Sequence, residues 1–485
     1  MVFFLPIDFF WSWRIELYVL LAALVLVLFS WAWLFMKSFR SYINTPIIRN
    51  TAAIVSENNK KNLTNDQPFV SVIVPARNEE DNIRKCLLSI LKQEYPNFEV
   101  IAINDSSEDR TLKIMEEISS EELSRKKKFK IISLYAKPDG WTGKTWASQQ
   151  GYLNSHGEVL LFTDADSFFE SKFTIRLTVE QMLSEKLDAL TGVPYLPLID
   201  FWSRVVMPVW NLYSEVFNRG VADANDPRSK VAFVMGSFFM IKRAVFEAIG
   251  TYKSVKDEIQ EDKAIGDLLK TSQYRLKMFK IDSLVSALWS RDIFSLWHGI
   301  RRSVTPGLVD NKSIIILHQL LMFTMVALPF FLLPYTAVML YGRYSYSPPS
   351  SVVSALPNNN TLILSSTAPD SLGEALQSDT RGSIPNYPFV LNPGNNEETY
   401  LRNILFSLDL SLCLLVITAT GIKSVMKYRL IPLYSLLCFI GGLFLVASYA
   451  YSTFPLLIGL GMKPIKWRGR AHLLPSHYNE KKKTI

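Results

Sequence analysis

Three apolar runs each lead into acidic residues. Glu79 follows Val70–Val74, Asp105 follows Glu99–Ile103, and Asp164 and Asp166 follow Glu158–Phe162 in Thr163-Asp164-Ala165-Asp166. A single acid at such a place is an ordinary loop or helix-capping group. Three in register, each at the end of an apolar run, form a candidate ligand edge. Asp-x-Asp after an apolar strand sets two hard oxygen donors side by side, which suits Mg²⁺ or Mn²⁺ bridging a diphosphate.

The elements that must position these acids follow from periodicity. Val70–Val74, Glu99–Ile103, Lys130–Leu134, Glu158–Phe162 and Ala189–Thr191 read as short strands. Helices are expected over Glu80–Gln93, with Ile83, Leu87, Ile90 and Leu91 on one face, over Glu108–Ile118 behind a Ser106 or Ser107 cap, and over Gly143–Leu153. Strands alternating with helices imply an α/β domain with a mostly parallel, doubly wound sheet. Such sheets bind ligands at the carboxyl ends of their strands, where these acids stand. Gly143-Lys144-Thr145 is not a phosphate loop, because the glycine required five positions before Gly143 is Pro138.

The stretch VSVIVPARNEEDNIRKCLLSILKQEYPNFEVIAINDSSEDRT and the later LLFTDADS resemble family 2 glycosyltransferases of the GT-A fold, from about residue 69 to 269 and more weakly to about 307. The resemblance implies roles for individual residues. Pro75, Arg77 and Glu79 would grip the base and ribose of a nucleotide sugar, and Asp105 the uracil or ribose. Lys144 would contact the donor. Asp164 and Asp166 would bind its diphosphate and a divalent metal. In VKDEIQEDKAIGDLLK the resemblance makes Asp262, preceded by Glu261, the catalytic base, with Asp257 and Glu258 as competitors. An acceptor hydroxyl must lose its proton as it attacks the anomeric carbon, and a carboxylate can take it. In VMGSFFMIKRAVFEAIGTY the resemblance places Gly236 and Ser237 in the acceptor-side loop, followed by a strand and a short helix ending at Gly250.

The 485 residues carry a net charge of +8, and 49% are hydrophobic. The mean hydropathy is +0.14. These values exclude disorder, collagen and coiled coil. Only Cys86, Cys413 and Cys438 are present, which excludes a disulfide-stapled domain. A modest positive charge suits a membrane surface, and no nucleic-acid partner is expected. The organisation reads as a transmembrane helix over 16–36, a GT-A domain over 66–312, a span over 314–341, an external loop over 342–400, a span over 404–422, a span over 430–460 with a re-entrant turn near Pro455 as an alternative, and a basic tail over 461–485. Lys37, Arg40 and Arg49 after the first span, and Lys423, Lys427 and Arg429 after the third, place the domain on the cytoplasmic side.

Phe201–Arg219 and Ile293–Val304 mix aromatics with basic residues, and each reads either as an interfacial helix or as a core-facing amphipathic one. Trp297 and Arg301 in the second are acceptor-side candidates. No Gln-x-x-Arg-Trp is present, which weighs against a processive polysaccharide synthase. The resemblance is instead to membrane family 2 enzymes that glycosylate lipids, including hopanoid- and carotenoid-associated ones. Lys463-Pro-Ile-Lys-Trp-Arg-Gly-Arg470 resembles the ending of that group, with Arg468 and Arg470 facing phosphate or lipid headgroups. The expected partners are a nucleotide-diphosphate sugar, a lipid or lipid-linked acceptor and the bilayer.

Overall fold

In a computed structural model of the chain, the described residues are 7–49, 67–121, 128–217, 220–229, 231–308, 312–324, 328–334, 396–457, 465–467 and 470–472. The chain divides into two units, Met1–Val25 with Pro329–Leu414, and Leu26–Leu328 with Leu415–Ile485. Within the first unit, the Cys413 thiol donates to the Leu24 carbonyl at 3.1 Å. The sheet and the site described below lie in the second.

Helix α1 (Ile7–Asn44) contains neither Gly nor Pro and is bracketed by Pro6 and Pro46, the residues that end helices. After it come β1 (Val70–Ala76), α2 (Ile83–Leu91), β2 (Phe98–Asp105), α3 (Thr111–Ser120), β3 (Phe129–Leu134), α4 (Gly143–Leu153), β4 (Val159–Phe162), β5 (Ser167–Phe169), α5 (Thr174–Ser184) and β6 (Ala189–Val193). Then follow α6 (Phe201–Phe217), α7 (Gly220–Asn225), β7 (Phe239–Lys242), α8 (Arg243–Ala248), a 3-10 turn (Thr251–Val255), α9 (Glu261–Thr271), β8 (Leu276–Lys280), β9 (Val285–Ala287), α10 (Ile293–Leu308) and α11 (Lys312–Met322). The chain continues in α12 (Asn396–Lys427), a 3-10 turn (Pro432–Leu437), α13 (Cys438–Leu457) and the hairpin β10 (Ile465–Trp467) and β11 (Arg470–His472).

The seven-stranded sheet has the order β3-β2-β1-β4-β7-β6-β8. All neighbours are parallel except β7, which runs antiparallel to both β4 and β6. β1 alternates between two cores. Val72 and Val74 face α2 and α5, while Ile73 joins Ile101 and Ile103 against α4, α8 and α9. The packing over Ile73 is close, since a Cβ on Gly151 of α4 would stand 2.4 Å from Ile73 Cγ2. Ala76 pairs with Asn104 and Ile73 with Phe162, so β1, β2 and β4 end along one edge.

The expected α/β sheet is present, with corrections at its boundaries. α2 begins at Ile83 and not at Glu80. Neither Ser106 nor Ser107 caps α3. Asp109 accepts the Thr111 N–H there at 2.9 Å, while Ser106 turns through a left-handed φ of 52° and its hydroxyl donates to the Leu134 carbonyl. The antiparallel β5–β9 pair and β8 were not expected. β5 and β9 are three residues each, too short to show a period.

Among the described residues, three helical stretches are long and apolar enough to cross a bilayer: Tyr18–Ser41, Asn403–Lys427 and Pro432–Pro455. α13 continues through Pro455 to Leu457, where a re-entrant turn was the alternative. Of the expected span over 314–341, residues 325–327 and 335–341 lie outside the described residues, as do the external loop over 342–395, Arg468 and most of the basic tail. α6 and α10 both pack on α13. Trp202 and Trp297 meet Phe444 at ring separations of 6.1 and 5.3 Å, and Tyr213 meets Tyr449 at 5.2 Å. These two segments are thus packed amphipathic helices, although Phe201 and Phe294 remain exposed.

Candidate active site

A pocket opens at the carboxyl edge of the sheet. Pro75 from β1, Thr163 and Asp164 after β4, Lys144 and Ser148 of α4, Gly236 before β7, and Glu261 and Asp262 of α9 line it, over a floor that includes Phe162 and Tyr252. α4 is aimed there by its own N-terminus. Thr142 caps it, accepting the Thr145 N–H at 3.2 Å, and the Lys256 carbonyl accepts from the Thr142 N–H and the Thr145 hydroxyl. The residue between those anchors, Lys144, is thereby held over the strand ends.

Lys144 is the pivot of the charges. Its Nζ stands 2.7 Å from Asp164 Oδ1 and 3.0 Å from Glu261 Oε1. Burial alone would lower its pKa, but Asp164 and Glu261 hold it well above the ordinary lysine value. At Gly236 an added Cβ would lie 2.5 Å from Lys144 Nζ and 2.9 Å from Asp164 Oδ2, so a side chain there would displace the ion pair. Ser237, the next residue, is buried behind the pocket, where its carbonyl accepts the Thr163 hydroxyl at 2.8 Å.

Asp262 stands in the first turn of α9. Burial, and then the neighbouring Glu261 carboxylate, push its pKa up to about 6, against the opposing pull of Lys144 and Arg302. Asp257 and Glu258, its competitors in the sequence, do not line the pocket. A carboxyl titrating near 6 is matched to taking a proton at neutral pH.

The Asp-x-Asp pair sits in the turn from β4 to β5. The Ser167 N–H closes on the Asp164 carbonyl, and the Leu288 N–H reaches the Asp166 carbonyl. Among the described residues no group of three or more His, Cys, Asp or Glu side chains is placed to hold a metal. Of the pair, Asp164 lines the pocket and Asp166 does not, and hard carboxylates of this kind would suit a cation that keeps waters and takes further ligands from a diphosphate.

The other expected donor residues lie along the same edge but do not line this pocket. Asp105 is buried at the end of β2. Arg77 donates to the Asp105 and Ser106 carbonyls and pairs with Glu108 at 2.7 Å. Glu79 is buried and pairs with Arg291 at 2.6 Å. Trp297 and Arg301 sit apart from the pocket. The buried Arg301 donates to Ser452 Oγ at 3.1 Å and lies over the Tyr451 ring. Ser148, Tyr252, Arg291 and Arg302 were not expected here. Nothing in the sequence around Tyr252 marks it, and nothing there distinguishes Arg302 from its neighbour Arg301.

Residues 71–250 match the family model described as glycosyl transferase family 2. A probable glycosyltransferase of Bacillus subtilis is 29% identical over 202 residues, 41% of this chain and 44% of that protein. The 4,4'-diaponeurosporenoate glycosyltransferase of Staphylococcus aureus is 24% identical over 254 residues, 52% of this chain and 65% of that protein. The chain thus spans between about two fifths and two thirds of the length of these relatives. Among solved structures, a mannosyltransferase of Pyrobaculum calidifontis in complex with GDP-Man and Mn²⁺ aligns over 82% of this chain and 98% of its own, at 16% identity and a TM-score of 0.41.

Proposed function

We propose that this chain, whose residues 71–250 are a glycosyl transferase family 2 domain, transfers a sugar from a nucleotide-diphosphate donor, a UDP-sugar, to a lipid or lipid-linked acceptor with inversion at the anomeric carbon. The observation that carries the reading is Asp262, a half-buried carboxyl whose pKa is pushed up to about 6, in one pocket with the Lys144–Asp164 pair. The lipid acceptor rests on the bilayer-length helices and on the name of the Staphylococcus aureus relative, a diaponeurosporenoate glycosyltransferase. A cytoplasmic site is supported by Lys423 and Lys427, which end α12 and reach Ser38 and Asn211.

In the transfer, Asp262 takes the proton of the acceptor hydroxyl. The freed oxygen bonds to the anomeric carbon from the face opposite the leaving group. The bond from that carbon to the diphosphate oxygen breaks, and the nucleoside diphosphate departs with the electron pair. Asp164 and Asp166 would hold a divalent cation, which when bound neutralises the departing diphosphate. Lys144 fixes Asp164 and takes up the Glu261 charge, which leaves Asp262 as the carboxyl free to accept a proton. Gly236 keeps the approach to that pair open.

The test uses the full chain in nanodiscs with Mn²⁺, a panel of nucleotide sugars and total lipid extract. Nucleoside diphosphate release and a singly glycosylated lipid are expected from one donor, both lost in Asp262→Asn and Asp166→Ala. Long polymer without a singly glycosylated lipid would make the protein a synthase. Absence of release from every donor, or full activity in Asp262→Asn, would overturn the reading.

A further inference from the structure

The loops after β1 and β2 are laced to each other. Besides the Arg77 bonds, the Asn78 N–H donates to Ser107 Oγ, the Glu79 N–H to Thr111 Oγ1 at 2.7 Å and the Glu80 N–H to Asp109 Oδ2. They form one half of the edge. The Asp-x-Asp turn is the other half, tied to the β9 segment through the Leu288 N–H on the Asp166 carbonyl at 3.0 Å. Three residues beyond Leu288, Arg291 reaches back to the first half. Its Nη2 donates to Glu79 Oε2 at 2.6 Å and its Nη1 to Asp81 Oδ2 at 2.8 Å. The same Glu79 oxygen accepts from Asn82 Nδ2 at 2.9 Å.

We propose that Arg291 is a positioning residue that sets the separation between the nucleoside-side loops and the Asp-x-Asp turn, acting through Glu79. The inference rests on the glycosyltransferase reading, in which both halves hold one nucleoside diphosphate. Glu79 then serves as the anchor of Arg291. The two carboxylates contribute unequally. The Glu79 side chain is 7% exposed, so losing its partner strands a buried charge, whereas Asp81 is 69% exposed and its pairing is worth little. Lysine does not replace arginine here, because one ammonium lacks the planar fork that spans two acids.

A ligand that engages only the nucleoside half is indifferent to this spacing, whereas one that bridges to the metal-binding turn depends on it. Binding is therefore measured to the full chain in nanodiscs, with whichever of UDP and GDP the wild type binds more tightly, in Mn²⁺ and in EDTA. Arg291→Ala and Arg291→Lys are expected to cut the Mn²⁺-dependent gain in affinity about tenfold and to leave the metal-free affinity within about twofold. Glu79→Gln loses the Mn²⁺-dependent gain to the same extent, the double variant loses no more of that gain than either single one, and Asp81→Asn matches wild type.

Equal losses with and without Mn²⁺ would reduce Arg291 to general support of the fold and overturn the proposal. Unchanged affinities, or additive losses in the double variant, would overturn it too. The lysine and Glu79→Gln variants keep the test decisive if the alanine variant does not fold. A wild type that binds neither nucleotide removes the glycosyltransferase reading itself, which separates that failure from the failure of Arg291 alone.

Discussion

The carboxyl edge of the sheet and the layer between α10 and α13 are built on opposite principles. At the edge, Lys144, Asp164, Glu261 and Asp262 crowd one pocket, with charge balanced by charge. In the layer, Trp297 meets Phe444 and Tyr451 edge to face, and the one buried guanidinium, Arg301, lies over Tyr451. Like charges in a pocket destabilise a fold and are kept for chemistry, whereas aromatic packing stabilises and leaves chemistry alone. Changes at the edge should therefore remove transfer while sparing the fold, and changes in the layer should do the reverse.

The largest effect is expected at Asp262. Asp262→Asn should lower the rate of transfer by about a thousandfold, the middle of the range for a general base. Its stability should move the other way. The folded-state pKa of Asp262 is raised from 3.8 to about 6, so folding favours the protonated form. That stabilisation is complete below pH 3.8 and is lost as pH rises through 6. Asparagine mimics the protonated form at every pH. Asp262→Asn should therefore melt above wild type at pH 7 to 8, and the two curves should converge below about pH 4. A variant that melts lower at neutral pH would break the contrast.

Gly236→Ala is next. Its added Cβ would fall 2.5 Å from Lys144 Nζ and 2.9 Å from Asp164 Oδ2. Both are ends of flexible side chains, so the fold accommodates the methyl by displacing the ion pair. Donor KM should rise about tenfold with little change in melting temperature, since about 1.4 kcal/mol of binding is lost. An unchanged KM would mean that the Lys144–Asp164 pair plays no part in holding the donor.

The same division governs which features are legible in the amino-acid sequence. β1, β2 and β4 are apolar strands with Pro75, Asp105 and Asp164 at or just beyond their carboxyl ends, because a buried parallel strand must be apolar and its carboxyl end must carry the ligand groups. Both signals are local. Lys144, Gly236 and Asp262 were reached through a resemblance, and their convergence depends on long returns of the chain that no local period records. Arg291 carried no signal at all. Its meaning lies in Glu79, far away in sequence, and an arginine just before a helix looks like any other. Trp297 and Arg301 were assigned to the acceptor because aromatic and basic residues at helical spacing serve an interface or a packed layer equally well, and only the position of α13 decides between them.

The smaller predictions test the other side of the comparison. Trp297→Ala removes two edge-to-face contacts from a half-buried ring, and should cost about 2–3 kcal/mol of stability, read as a lower melting temperature in detergent. Transfer per folded molecule should stay within about threefold of wild type, since this ring is not at the pocket. A loss of transfer as large as that of Gly236→Ala, at unchanged stability, would return Trp297 to the acceptor side and dissolve the division.

The smallest effect is expected next door to the largest. Lys263 follows Asp262 directly and pairs with Asp267 one turn along α9 at 2.5 Å, but both side chains point outward, 57% and 42% exposed. An exposed i,i+4 pair on a helix contributes about 0.3–0.5 kcal/mol. Lys263→Ala should therefore shift melting by about a degree or less and leave donor KM and the rate of transfer unchanged. Proximity in sequence to the base gives Lys263 no share in its chemistry, because α9 turns one face to the pocket and the other to solvent. If Lys263→Ala lowered the rate as Gly236→Ala raises donor KM, the field around Asp262 would extend beyond the residues that line the pocket, and burial would no longer separate the charges that act from those that only decorate the surface.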